Sequence, residues 1–227
     1  MTTQEKMNSI IKTARMAGFL YLLVAVCSGF AASVRSSLVV SGDAAATVNH
    51  IIASVMLFRI NIVSDLIGQV FHILLALVLY ELLKTVNKNQ ALLMVILALV
   101  PVPIAMLNQI NQFAVLPLLS SADYSQVMFF LNLHNQGVLI AQIFWGLWLF
   151  PLGYLVFKSG YIPRVLGVLL IIAGLGYLLD SFGNFLLPNY DLTISMFTFI
   201  GEVLFLLWLL IKGVNADRWE KRALASA

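Results

Sequence analysis

The chain has 227 residues, of which 61% are hydrophobic and only 10% charged, with a mean hydropathy of +0.97. A soluble domain carries about 25% charged residues, so this composition excludes an ordinary soluble fold and points to a single all-α membrane domain over residues 1–227. The formal charge of +3 and isoelectric point near 9.1 raise nucleic acid as a partner, but the positions of the basic residues explain them otherwise.

Residues 1–14 are polar and contain Lys6 and Lys12. The first apolar run is predicted to span a bilayer at about residues 15–34. Its basic front and small-residue end, Ala31-Ala32-Ser33, imitate a signal peptide. The run is longer than the usual 7–15 residue apolar region, so it reads as a membrane helix. Cys27 within it is the one cysteine, which leaves no intrachain disulfide.

Residues 34–60 are too polar to span. Gly42-Asp43 suits a helix start, with Asp43 as cap. Val48, Ile51, Ile52, Val55 and Phe58 then follow helical spacing, which predicts a short amphipathic helix on the membrane surface.

The second span, 61–83, is the most informative. It carries Asp65, Gln69 and His72 at i, i+4 and i+7. At about 100° per residue these fall within roughly 40° of one another on one stripe. An ionisable residue near the centre of a membrane helix costs about 2.5–3.5 kcal/mol on insertion scales. That stripe must therefore face other helices or water.

The third span, 91–113, holds Pro101 and Pro103 near its middle, and a kink or break is expected there. Its far end is rich in amides: Asn108, Gln109, Asn111 and Gln112. Residues 123–133 repeat the earlier surface pattern, with Asp123 as cap and Tyr124, Val127, Met128 and Leu131 at helical spacing. His134 closes this second interfacial helix, and His50 and His134 both read as interfacial.

The fourth span, 137–157, contains Gln142, Trp145, Trp148 and Pro151. A tight turn follows, with Gly160 suited to a helix exit and Pro163 to the first turn of the next helix. The fifth span, 164–187, places Gly167, Gly174 and Ser181 seven apart, a smooth seam for close helix contact. Asp180 and Asn184 lie near its far end. The sixth span, 193–212, has Glu202 near its midpoint, and 213–227 is a polar tail. The predicted architecture is thus a bundle of six transmembrane helices with two short interfacial helices on the outer side.

Lys and Arg orient it. Lys6, Lys12, Arg15, Lys84, Lys88, Lys158, Arg164, Lys212, Arg218, Lys221 and Arg222 fall in segments on one side, Arg35 and Arg59 on the other. The positive-inside rule places the eleven in the cytoplasm, with both termini. The basic residues are topology determinants, and no nucleic-acid partner is expected.

In this topology the buried polar groups gather in the outer half or at the midplane. They are Asp65, Gln69, His72, Asn108, Gln112, Asp180, Asn184 and Glu202, with Arg35 and Arg59 able to reach down as counter-ions. Such residues can simply join helices by hydrogen bonds. For the ionisable ones a functional role is the default, and carboxylates with a nearby imidazole suit proton binding. Glu202 is about 15 Å along its helix from Lys212, and His72 about 18 Å from Lys84. This similar depth predicts one shared polar site for Glu202, Asp65 and His72, with Asp180 and Asn184 toward its mouth. Glu81, three residues before Lys84, reads instead as half of a surface pair.

The three inward-running spans also share a short similarity: Ile67-Gly68-Gln69, Ile140-Ala141-Gln142 and Ile200-Gly201-Glu202. Each outer connection contains an aspartate, Asp43, Asp123 or Asp191. Chance matching of apolar helices explains this as well as three hairpins derived from one unit do.

From Gly153 to Leu187, through Lys158-Ser-Gly-Tyr-Ile-Pro-Arg164, the sequence resembles a bacterial multipass membrane family catalogued as domain of unknown function 4386. Ala14-Arg15-Met16-Ala17-Gly18, Gly42-Asp43-Ala44-Ala45-Ala46, Leu57-Phe58-Arg59, Leu133-His134 and Gly201-Glu202 through Gly213 match as well. The resemblance implies an integral protein of the bacterial inner membrane and brings no activity with it.

Three functions stay open. The Pro-broken third span beside amides and carboxylates suits a small solute- or proton-linked transporter or binding protein with an outward-facing cavity. An intramembrane enzyme acting on lipid would use His72 or His134 with Asp65, Asp180 or Glu202, but no His-x-x-x-His, Glu-x-x-His or nucleophile–base pair stands in the sequence. A non-catalytic assembly or stress-response role is the third. No zinc pattern, Walker loop or dinucleotide fingerprint occurs, so no cofactor is expected. The partners are the lipid bilayer and a small solute or proton.

Overall fold

The computed structural model describes residues 3–120, 123–190 and 192–225, with side chains from Met7 onward. Among these residues the chain is helical throughout, with no strand. α1 (Thr3–Leu38) starts well before the apolar run, because its polar first turns continue the helix. α2 (Ala44–Ala53) is the short amphipathic helix. The Asp43 carboxylate accepts from the Ala46 N–H at 2.8 Å, satisfying one of the first-turn donors that no helical carbonyl reaches.

α3 (Val55–Leu83) begins at the Ser54 break and is longer than expected. Val55 and Phe58, read as part of the surface helix, therefore belong to it. α4 (Lys88–Leu99) and α5 (Pro101–Leu118) meet at Val100, which is itself helical. The break sits where Pro101 and Pro103 lack the donors that the turn before would need. α6 (Tyr124–Leu147) corrects the reading of a separate second surface helix, since residues 124–136 run unbroken into the next segment. Its Asp123 cap accepts from Ser125 and Gln126, and these bonds hold that carboxyl below the usual range.

α7 (Leu149–Ser159) follows a break at Trp148, because Pro151 cannot donate to the carbonyl of Leu147. It ends at Gly160, whose φ of +78° is left-handed. α8 (Arg164–Leu186) returns along α7. α9 (Ser195–Thr198) and α10 (Ile200–Ile211) form the last apolar segment. α11 (Ala216–Ala225) is a helix in what reads as a polar tail, bent 99° from the segment before it. Asp191, the third outer aspartate of the sequence pattern, lies outside the described residues.

Among the described residues five helical segments are long and apolar enough to cross a membrane, or six if the bent pair Ser195–Ile211 and Ala216–Ala225 is one span. The burial pattern agrees with such an environment. On α3, Val63, Ile67, Val70, Leu74 and Leu77 are exposed, whereas Asn61, Asp65, Gln69 and His72 are buried. A helix with apolar residues outside and polar ones inside is stable only against lipid, since water would favour the reverse.

The two ends of the bundle differ. At one end α3 stops, α7 turns into α8, and α11 lies across both. There Tyr161 Oη (2.8 Å) and Trp219 Nε1 (3.2 Å) donate to the Leu82 carbonyl, and the Asn215 N–H donates to that of Tyr161 (3.1 Å). Lys84, Lys158, Arg164 and Lys212 all flank helix ends here, and Lys84 pairs with exposed Glu81 at 2.5 Å. The half of the bundle next to this end is a solid apolar core around Leu79, Leu82, Leu152 and Leu209. At the other end α2 packs through Val48 and Ile51 onto a second core with Phe58, Ile62, Val115 and Val127.

Candidate functional site

Between these two cores lie two cavities that admit a few polar side chains. The larger, of about 380 Å³, is walled by α1, α3, α6, α8 and α10. Glu202 enters it from the first turn of α10, where the helix dipole favours negative charge. Tyr21 on α1 donates to Glu202 Oε2, and Tyr177 on α8 donates to Oε1 at 2.8 Å. One phenol thus pins each carboxylate oxygen. Trp148 packs between Tyr21, with centroids 6.0 Å apart, and His72, at 5.1 Å and near edge-to-face. Gln142 donates to the Tyr177 carbonyl at 3.2 Å. The Nε2 of His72 and Oε1 of Gln69 are buried without partners among the described residues.

The smaller cavity, of about 190 Å³, contains Arg35 and Asp65 and shares Ser28, Gln69 and Trp145 with the first. Arg35 Nη1 lies 2.7 Å from Asp65 Oδ2 and donates to Asn61 Oδ1 at 3.1 Å. A chain of amides extends from this pair. Gln109 donates to Asp65 (3.1 Å), Gln112 to Gln109 (2.8 Å) and Asn61 to Gln112 (2.7 Å). Gln112 Nε2 also reaches His134 Nε2 at 3.1 Å, while His134 Nδ1 faces the Asn108 carbonyl at 3.4 Å. These partners assign a neutral ring with its proton on Nδ1, because Nε2 must then accept. The amide-rich end of the third span therefore works as a partner set for the α3 stripe.

Glu202, His72 and Gln69 thus line one cavity, and Asp65 lines the adjoining one behind Gln69. Several expected positions are corrected. Asp180 lines neither cavity: its oxygens accept the N–H groups of Ile194 and Ser195, each at 2.8 Å, and the Tyr190 hydroxyl at 3.0 Å. It caps the start of the last apolar segment. Asn184 is exposed on the same helix and donates to the Asp180 carbonyl. Arg59 is exposed with no ion pair among the described residues, so Arg35 alone acts as counter-ion. His134, expected at the membrane surface, is fully buried against the amides of α5. Among the described residues no three His, Cys, Asp or Glu side chains come together as metal ligands.

Tyr21, Tyr177, Trp145 and Trp148 have no sequence signal that ties them to Glu202. Tyrosines inside apolar spans would have been the hint, since a buried phenol needs an acceptor. The short similarity between inward spans has a spatial counterpart: Gln69, Gln142 and Glu202 all border the larger cavity.

Long apolar helices that turn lipophilic faces outward and an ion pair inward fit a polytopic membrane bundle. The chain belongs to the family described as domain of unknown function (DUF4386), which matches residues 16–213. An archaeal relative from Archaeoglobus fulgidus, described as an uncharacterized protein, is 36% identical over 155 residues, covering 67% of this chain and 83% of its own length. No solved structure matches the chain.

Proposed function

We propose that this protein binds a small solute in the Glu202 cavity and carries it across the cytoplasmic membrane, with Glu202 exchanging a proton for the solute. The observation that supports this reading is the cavity itself. At about 380 Å³ it falls within the range of small-ligand sites, about 300–1,000 Å³. It holds a carboxylate fixed by two phenols, and solid apolar packing closes the half of the bundle beyond it. In this reading the bundle has six spans, the basic end faces the cytoplasm with both termini, and the cavity opens outward.

Reconstituted vesicles with an internal pH indicator test the transport step. A subset of small solutes drives a pH change, and Glu202→Gln lowers its rate about tenfold or more, a barrier change of about 1.4 kcal/mol. The amide oxygen still accepts from one phenol and the amide N–H2 donates to the hydroxyl oxygen of the other, so the variant keeps its helicity and melting profile. Failure of every solute class to move protons overturns the reading.

Orientation is read by thiol labelling in a Cys27→Ser background. An impermeant reagent modifies Asp123→Cys in intact cells and spares Lys88→Cys. The reverse pattern inverts the topology.

A further inference from the structure

We propose that the ligand of the Glu202 cavity is a small protonated amine with an apolar body. This inference rests on the solute-binding reading above and names the chemistry of the solute. Among the described residues Glu202 is the one acidic residue in the lining, and no Lys or Arg joins it. The Arg35 guanidinium borders the adjoining cavity and is held by Asp65. An anion would therefore meet a carboxylate and no counter-charge, whereas a cation would complete an ion pair.

The walls suit a cation too. Tyr21, Trp145, Trp148 and Tyr177 all line the cavity. Ring faces attract ammonium groups, most strongly in Trp and where water is excluded. The contacts of Trp148 with Tyr21 and His72 hold these rings in place before any ligand arrives.

The unpartnered atoms narrow the class from cation to N–H donor. Gln69 is 7% exposed and His72 6%, yet Gln69 Oε1 and His72 Nε2 have no partner among the described residues. A neutral ring with its proton on Nδ1 presents Nε2 as an acceptor. Each Glu202 oxygen takes one phenol and retains a further lone-pair site. The cavity thus offers acceptors from three side chains to a group that brings several N–H bonds. A primary ammonium does so. A quaternary ammonium would satisfy the charge and the rings and leave the acceptors bare, as a neutral apolar solute would.

Tryptophan fluorescence of the detergent-solubilised full chain tests this, because Trp145 and Trp148 line the cavity. The probes are benzylammonium, benzyltrimethylammonium, benzyl alcohol and benzoate. Benzylammonium is expected to give a saturable change at a concentration about tenfold or more below that of the other three, and Glu202→Gln to erase that preference. Gln69→Leu provides a second variant, expected to weaken benzylammonium relative to benzyl alcohol. Should the Glu202 variant not fold, the probe series on the unmodified protein decides. Equal saturable binding of benzyl alcohol, or tighter binding of benzoate, overturns the amine assignment and leaves a solute cavity standing. A tighter quaternary probe overturns the N–H donor part. No saturable response to any probe overturns both the assignment and the solute-binding reading.

Discussion

Asp65→Ala is expected to destabilise the protein by about 3–5 kcal/mol, the cost of removing one partner of a buried ion pair. Both side chains are mostly covered, at 20% and 12% exposure for Arg35 and Asp65. Without Asp65 the guanidinium keeps only the Asn61 oxygen among its described acceptors. The loss spreads, because Gln109 donates to the same carboxylate and in turn accepts from Gln112. The double variant Arg35→Met with Asp65→Leu is expected to recover most of the stability, since it removes both charges together. Thermal unfolding in detergent reads this as a fall in apparent Tm on the order of 10 °C for the single variant. A single variant that melts like the wild type would show that water, not Arg35, stabilises Asp65.

Gly167→Leu is expected to cost about 3 kcal/mol or more, at or beyond the upper end of ordinary overpacking. A Cβ on Gly167 would lie 2.7 Å from the Phe157 backbone nitrogen, and one on the facing Gly153 2.6 Å from the Gly167 carbonyl oxygen. One turn pair further along, a Cβ on Gly174 would lie 2.7 Å from the Gly146 carbonyl. These obstacles are backbone, which cannot rotate aside as a side chain can. Any side chain must push α8 from α6 and α7 over the whole seam. Because Tyr177 stands on α8 and Trp148 between α6 and α7, that shift also opens the Glu202 cavity. Val165→Leu, on the exposed face of the same helix at 61% exposure, serves as the control and should melt within about 0.5 kcal/mol of the wild type. Equal melting of Gly167→Leu and the control would mean that the helices are not in backbone contact.

Much of the fold was readable because it depends on local chemistry. Asp43 and Asp123 cap helices through their own side chains, and Gly160 ends one through its φ. Pro101 interrupts a helix wherever the helix goes. The polar stripe on α3 follows from a fixed turn per residue, and apolar length alone marks the membrane segments. Reading by local pattern also had a local failure. Residues 124–136 have a surface-helix pattern, and nothing in that pattern says whether the helix stops before the next span. The docking of α11 was equally hidden, since its small apolar face rests on Ala216 and Trp219 and meets the Leu82 carbonyl only after folding.

Sequence by itself therefore determined the long apolar helices, the break at Pro101, and how far along its helix each polar residue sits. Depth is a sum of residues from a charged end, which needs no partner to compute. It placed Glu202 and His72 at one level, and both border the same cavity. Only the tertiary structure decided the direction each polar residue faces and what it meets there. Asp180 sits near the depth expected of a cavity mouth but turns to the N–H groups of Ile194 and Ser195. Tyr21 reaches Glu202 across 181 residues of sequence. Which face of a helix meets which neighbour is set by the joint packing of all the helices, through glycine seams such as Gly153–Gly167. In lipid every apolar face is equally content outside, so the hydropathy of one helix cannot specify that choice.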